Sequence, residues 1–227
     1  MKNSATDYRH LIWDWNGTLL DDVDDCLAVL NDMLEKRYLK MLTRNRYRDL
    51  FNFPVLDFYQ QIGFDFKTES FDDVAIEYHV GYTRRLPECR LHPGAEQILR
   101  AAAHAGYTQS LLSAYPQNAL ENALNYFQVR PWFTKIVGLD DHFAHSKLEN
   151  GKRFLKELKI DPSHVLLIGD TLHDSEVADA TGVDCVLLTY GHQSRRRLQS
   201  CGVRLFDTLA DLQKFLIYST PTPEQHN

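Results

Sequence analysis

The stretch YRHLIWDWNGT, residues 8–18, sets an apolar run of strand length against an abrupt polar ending, and VLLIGDTLHD, residues 165–174, repeats the pattern. Each run stops at an aspartate, Asp14 in the first and Asp170 in the second. Near-continuous apolar runs of this length suit strands buried on both faces of a parallel sheet. Outward from these two, Tyr107–Ser113, Thr134–Gly138 and Asp184–Leu188 predict further strands, with a weaker one at Val203–Phe206. Helical patterns alternate with them. His92-Pro93-Gly94 opens one helix, with Ile98, Leu99 and Ala102 on its inner face and Gly106 past its end. Pro116 opens a second carrying Leu120, Ala123, Leu124 and Phe127. Phe154, Leu155 and Leu158 mark a third, stopped by Asp161-Pro162, and Val177 and Ala178 a fourth, closed by Gly182. Asp207 caps the last, with Leu209, Leu212, Phe215 and Leu216, and the tail Ser219–Asn227 is expected to fray. The alternation predicts an α/β fold, an open doubly wound parallel sheet.

One connection is too long for this scheme. A crossover between parallel strands needs about a dozen residues, yet the first and second strands are separated by everything from Asn16 to Gly106. Residues from His92 onward supply the crossover helix. The rest holds its own apolar stripes: Val23, Cys26, Leu27, Leu30, Leu34 and Tyr38; Phe53, Leu56, Phe58 and Tyr59; Phe71, Val74, Tyr78 and Tyr82. The division expected is therefore a core of residues 1–19 and 92–227, with an all-helical insertion at 20–91 over the C-terminal ends of the strands.

The 227 residues carry 25 Lys+Arg against 31 Asp+Glu, a net charge of −6, which argues against a dedicated nucleic-acid or anionic-membrane surface. With 44% hydrophobic and 25% charged residues, low-complexity disorder and fibrous repeats are excluded. Cys26, Cys89, Cys185 and Cys201 form no C-x-x-C pair and read as free thiols of a reducing compartment. The first ten residues have no apolar signal core, and no run reaches the roughly 18 apolar residues of a membrane span. A cytoplasmic protein, monomer or homodimer, is the expectation.

Four features fall at or beyond the C-terminal ends of successive strands, where open α/β sheets bind ligands: Asp14-Trp15-Asn16-Gly17-Thr18, Ser113, Lys147, and Gly169-Asp170-Thr171-Leu172-His173-Asp174. Folding would gather Asp14, Asp170 and Asp174. Three carboxylates in a small volume raise one another's pKa unless a cation intervenes, and an oxygen-only set suits Mg²⁺. Lys147, the Ser113 hydroxyl and the Gly17 and Thr18 amides would then hold an anionic group, and a carboxylate so placed can act as a nucleophile.

In these motifs the chain resembles the haloacid dehalogenase superfamily of phosphohydrolases. The family's Asp-x-Asp-Gly-Thr stands here as Asp14-Trp15-Asn16-Gly17-Thr18, its Ser or Thr at a strand end as Ser113, its Lys as Lys147, and its Gly-Asp-x-x-x-Asp as Gly169-Asp170 and Asp174. The insertion resembles the helical cap of the phosphoglycolate phosphatase-like branch. The resemblance implies a Rossmann-like core and a Mg²⁺-dependent phosphatase of small phosphorylated metabolites, phosphoglycolate among the family's substrates. It implies Asp14 as nucleophile and metal ligand, the carbonyl of Asn16 and Asp170 as further ligands, and Asp174 orienting or joining the metal shell. Gly17, Thr18, Ser113, Ala114 and Lys147 would bind the phosphoryl group.

Two departures stand out. The family's second Asp serves as general acid and base, a role worth about 10²–10⁴-fold, and Asn16 cannot perform it. The enzyme would then act on substrates with good leaving groups, or be slow with a long-lived phosphoenzyme, or bind phosphate compounds without turnover, or borrow an acid such as Asp21 or Asp22. Deamidation of Asn16-Gly17 would restore the Asp, but a folded loop is expected to prevent it. The third motif often reads Lys-Pro; here Lys147 precedes Leu148, and Lys152 competes. Arg195-Arg196-Arg197 reads as a solvated helix face, and His142, His145 and His173 as surface or loop histidines. Phe58, Tyr59, Tyr78 and Tyr82 read as core of the insertion, and Arg44, Arg46, Arg84 and Arg85 as candidates to select an anionic substrate tail. A receiver-type signalling module gathers similar residues but is shorter and uninterrupted; a metal-independent dehalogenase is a further alternative.

Overall fold

The computed structural model describes residues 7–139 and 147–218. His142, His145 and the tail from Ser219 lie outside them. In chain order the elements are β1 (His10–Trp13), β2 (Leu20–Asp21), α1 (Val23–Lys36), α2 (Arg44–Leu50), α3 (Val55–Gln61), α4 (Phe71–Arg85), β3 (Arg90–Leu91), α5 (Ala95–His104) and β4 (Thr108–Pro116). There follow α6 (Gln117–Tyr126), β5 (Lys135–Leu139), α7 (Lys147–Leu158), β6 (Val165–Gly169), α8 (Leu172–Thr181), β7 (Asp184–Leu188), α9 (Arg195–Leu198), β8 (Arg204–Phe206) and α10 (Leu209–Tyr218).

Six strands form one parallel sheet in the order β5-β4-β1-β6-β7-β8. The chain runs outward from β1 through β4 to β5, then returns to start β6 on the other side. The switch point therefore lies between β1 and β6, whose register pairs Trp13 with Ile168. This is where an open sheet leaves a crevice beyond its strand ends. Both central strands are fully buried along their length, which is why their sequences are apolar without alternation. Successive side chains still face opposite ways: Leu11 and Trp13 join the core beneath α5, α6 and α10, while Ile12 joins Phe154 and Val177 beneath α7 and α8.

The predicted strands are all present, Val165–Gly169 and Asp184–Leu188 with their predicted ends and the others shifted. The second runs on through Pro116, with a register irregularity after Leu112. Between β1 and α5 the chain is helical, apart from the two-residue strands β2 and β3, which pair antiparallel as Leu20↔Leu91 and Asp21↔Arg90. Too short to carry a sequence signal, they exist because the entry to and exit from the helical segment lie side by side. The stripe on α1 buries Val23, Cys26, Leu30 and Leu34 as its spacing predicts, while Leu27 is half-buried and Tyr38 exposed. Ser70 and Thr43 each accept a backbone N–H at the starts of α4 and α2. The expected aromatic core is present: Phe58, Tyr59 and Tyr82 are buried, and Tyr78 stacks on Tyr82 with centroids 6.0 Å apart.

The helical segment is fastened to the core by α2. Arg48 donates to the carbonyls of Thr189 (2.6 Å), Gly191 (2.7 Å) and Gln193 (3.1 Å), all in the loop after β7. Gln193 Nε2 donates back to the Phe51 carbonyl (2.9 Å) and Ser194 Oγ to Asp49 (2.7 Å). No described helix is long and apolar enough to cross a membrane.

Candidate active site

Folding brings Asp14, Asp170 and Asp174 together beyond the ends of β1 and β6. One carboxylate oxygen from each lies within 4.8 Å of the others, and all three side chains are buried. Asp14 continues β1, its amide bonding the Ile168 carbonyl at 2.9 Å. Asp170 leaves β6, and its Oδ2 accepts the His192 amide at 2.6 Å. The four-residue spacing to Asp174 has a local cause. Thr171 begins α8, and Asp174 Oδ2 reaches back to the Thr171 amide (3.0 Å), its hydroxyl (2.7 Å) and the Asp170 amide (3.2 Å). Asp174 thus closes a capping box while turning Oδ1 to the site.

Lys147 is the counter-charge. The first residue of α7, it is 5% exposed, and its ammonium donates to Asp14 Oδ1 and, at 2.5 Å, to Asp174 Oδ1. The rival, Lys152, pairs with exposed Glu149 on the outer face of the helix. Burial alone would lower the Lys147 pKa, but the carboxylates of Asp14 and Asp174 raise it, so it stays charged. Burial pushes the Asp14 carboxyl upward against the pull of Lys147, and the charges of Asp174 and Asp170 push it further. Asp170 is likewise raised by burial. Asp174 is held low because Lys147 and the Thr171 hydroxyl outweigh its burial.

The donor set fits a hard divalent cation. Three buried carboxylates outnumber the one ammonium that pairs with two of them, and all donors are oxygens. Asp14 and Asp170 have oxygens to give, and Thr18 Oγ1 bridges them at 3.3 and 2.9 Å. Asp174 is largely committed to Lys147 and the turn, which suits an orienting role. Space is tight: a Cβ on Gly17, where φ is +73°, would sit 2.4 Å from Asp170 Oδ2.

Several expectations change on inspection of the motif-one turn. The Gly17 amide bonds the Leu20 carbonyl and Asp22 Oδ1, both at 2.9 Å, and the Thr18 amide bonds the Trp15 carbonyl at 3.3 Å. Neither amide is free to hold a phosphoryl group, because the turn that places them consumes them. Ser113 is 2% exposed at the sheet end, its Oγ accepting the Tyr115 amide, and Ala114 follows it half-buried. The Asn16-Gly17 pair is protected from deamidation, since the Gly17 nitrogen that would attack the carboxamide is doubly bonded.

Asn16 lies in a buried network that the sequence did not disclose. Its Nδ2 donates to Asp22 Oδ2 (2.7 Å) and the Tyr82 hydroxyl (2.8 Å). Asp22, fully buried, also accepts from Tyr82 (2.7 Å) and the Cys26 thiol (3.5 Å), and pairs with His192 Nε2 at 3.3 Å. Burial would raise the Asp22 carboxyl, but His192, Tyr82 and Asn16 hold it down at about 2. His192 is raised to about 9 by Asp22, Asp170 and Asp14 against its burial, and the Tyr47 hydroxyl contacts its Nδ1 at 2.8 Å. Asp22 was a candidate substitute acid; the structure brings it to Asn16 but keeps it ionised. Asp21, half-exposed, lies 3.9 Å from His92 instead. Asp22, Cys26 and His192 also form a second buried group of metal-type ligands, but their hydrogen bonds already satisfy the carboxylate.

His192 belongs to no sequence motif; its one sequence signal is its place in the loop that leaves β7. His173 bonds Glu176 at 3.0 Å as a loop histidine would. Among the candidate arginines, Arg44 pairs with Asp24 and Arg85 with Asp25 and Glu88. Arg195–Arg197 are not simply solvated: Arg195 pairs with Asp207, Arg196 with Asp49, and Arg197 donates to the Phe51 carbonyl.

A family model described as haloacid dehalogenase-like hydrolase matches residues 11–188, and the chain belongs to that family. It is 26% identical over 196 residues to a phosphoglycolate phosphatase of Pseudomonas fluorescens, covering 83% of this chain and 72% of that protein. It is 25% identical to a 5'-nucleotidase of Pseudomonas aeruginosa, covering 88% and 91%. A predicted phosphatase from Clostridium acetobutylicum shares the fold with a TM-score of 0.80 at 22% identity, over 93% of this chain and 99% of that one. Within that family the chain resembles phosphatases, phosphoglycolate phosphatases among them.

Proposed function

We propose that the protein hydrolyses small phosphorylated metabolites with Mg²⁺, through a phosphoenzyme on Asp14. The observation that carries this is the convergence of Asp14, Asp170 and Asp174 at the switch point of the sheet, with Asp14 and Asp174 paired to the buried Lys147 ammonium. Asp14, the carbonyl of Asn16 and Asp170 would hold the ion, with Asp174 orienting the set. Bound there, the ion would neutralise the carboxylates and the phosphoryl oxygens. Asp14 supplies the attacking oxygen, with Lys147 fixing its orientation. Lys147 and the Ser113 hydroxyl, beside Ala114, bind the phosphoryl group. Residues 20–91 serve as the cap, docked by Arg48, and exclude bulk water from the reacting centre.

A second reading, a slow phosphotransferase or a phosphate-binding protein without turnover, is favoured by one observation: an amide, bonded to ionised Asp22, stands at position 16. One experiment separates the two. Phosphate release from a panel of phosphorylated metabolites is measured with Mg²⁺ and with EDTA, for wild type and Asp14→Ala, alongside intact mass after acid quench. Metal-dependent release that Asp14→Ala abolishes supports the phosphatase. A trapped phosphoryl adduct without release supports the second reading, and neither signal from any compound removes both.

A further inference from the structure

Position 16, two residues past Asp14, carries an amide, which can accept a hydrogen bond but has no acidic proton to give. The Asn16 amide has a definite orientation, because Asp22 is an acceptor-only carboxylate and the nitrogen end must face it. Tyr82 reinforces this by accepting from the same nitrogen and donating to the same carboxylate. Oδ1 is left as the end with no partner among the described residues. Three neighbouring groups that carry protons are committed. The Tyr82 hydroxyl points its hydrogen at Asp22, the Lys147 ammonium lies on Asp14 and Asp174, and the His192 ring contacts Asp22 and Tyr47.

From this geometry we infer that the substrates are phosphates joined to an acidic oxygen, as in acyl phosphates and phosphoanhydrides, rather than alkyl phosphate esters. The inference rests on Asp14 being the phosphoryl acceptor. In the first step the Asp14 Oδ–P bond forms and the P–O bond to the leaving group breaks, and that oxygen departs with the electron pair as an anion. A carboxylate or phosphate leaves in this form unaided, whereas an alkoxide needs a proton that position 16 cannot give. In the second step water adds to phosphorus, the P–O bond to Asp14 breaks, and the carboxylate is regenerated. Both protons of the water stay on the released phosphate, so the cycle balances without a base at 16, with Asn16 Oδ1 able to orient the water. Asp22 is the positioning residue: it holds the amide nitrogen and so fixes which end of the amide is left unpartnered. Phosphoglycolate, whose leaving group is an alkoxide, falls among the poor substrates on this reading.

The test is the dependence of kcat/KM on leaving-group pKa across acetyl phosphate, a set of aryl phosphates and an alkyl phosphate, with Mg²⁺. It is measured for wild type, Asn16→Asp, and the exchange variant Asn16→Asp/Asp22→Asn, which keeps one carboxylate and one amide in contact and so protects folding. Wild type is expected to lose activity steeply as leaving-group pKa rises. A variant with a carboxyl at 16 is expected to flatten that dependence, raising alkyl phosphate turnover relative to acetyl phosphate turnover by about 10²–10⁴-fold. Wild-type turnover independent of leaving-group pKa would overturn the inference and leave the phosphatase reading standing. Absence of both turnover and phosphoenzyme with every compound would overturn the phosphatase reading, and this inference with it.

Discussion

Replacing Lys147 by Met removes the ammonium paired with Asp14 and Asp174 while keeping most of the side-chain volume. Lys147 is 5% exposed and touches both Asp14 and Asp174, which are 6% and 1% exposed. Removing one partner of a buried ion pair costs about 3–5 kcal/mol, because the other charge stays buried and unpaired. For a chain of this length each kcal/mol moves Tm by about 2–4 °C, so Lys147→Met is expected to melt roughly 6–20 °C below wild type in EDTA. A cation that binds the folded state returns stability by mass action, about 2.7 kcal/mol at a hundred times its Kd. Because the variant's site is more negative, Mg²⁺ should raise its Tm more than it raises that of wild type. The assay is thermal unfolding at neutral pH with EDTA and with Mg²⁺, with Lys152→Met as control. Lys152 forms an exposed pair with Glu149, so its removal should cost no more than about 1 kcal/mol. If Lys147→Met is no less stable than Lys152→Met in EDTA, Lys147 does not balance the carboxylates and the electrostatic account of the site fails.

Further expectations follow from neighbouring contacts. Gly17→Ala places a methyl 2.4 Å from Asp170 Oδ2 and 2.5 Å from His192 Cδ2 at a φ of +73°; it should abolish turnover and the Mg²⁺-induced rise in Tm, and an intact rise would contradict the close packing. The folded-state pKa of His192 is raised to about 9 from 6.5, so its stabilisation is complete below pH 6.5 and is lost as pH rises through 9. Across that interval the folded state holds one more proton, and urea unfolding should show stability falling by about 1.4 kcal/mol per pH unit from this group; His192→Gln should remove that slope. Arg48→Ala deletes the bonds to the Thr189, Gly191 and Gln193 carbonyls. It should speed proteolytic cleavage within residues 20–91 and raise KM more than it lowers kcat; unchanged cleavage would show that the clamp is not what docks this segment.

The alternation of apolar runs and helical stripes determined the fold, because a strand buried on both faces must be apolar throughout and a surface helix must carry a stripe. The same patterns exposed the extra length between β1 and α5. They also placed Asp14, Ser113 and Asp170 at strand ends and Lys147 beyond one, on the side where ligands bind an open sheet. The sequence alone left Lys147 and Lys152 unresolved, since only packing decides which turn of α7 faces the sheet. The fate of Asn16 was equally out of reach. Its orientation depends on Asp22, on Tyr82 some 66 residues away and on His192 still further along the chain, and hydrogen bonds between distant residues leave no periodic trace. The Gly17 and Thr18 amides show the same limit: a motif records which atoms are present, while the tertiary turn decides which of them are already spent.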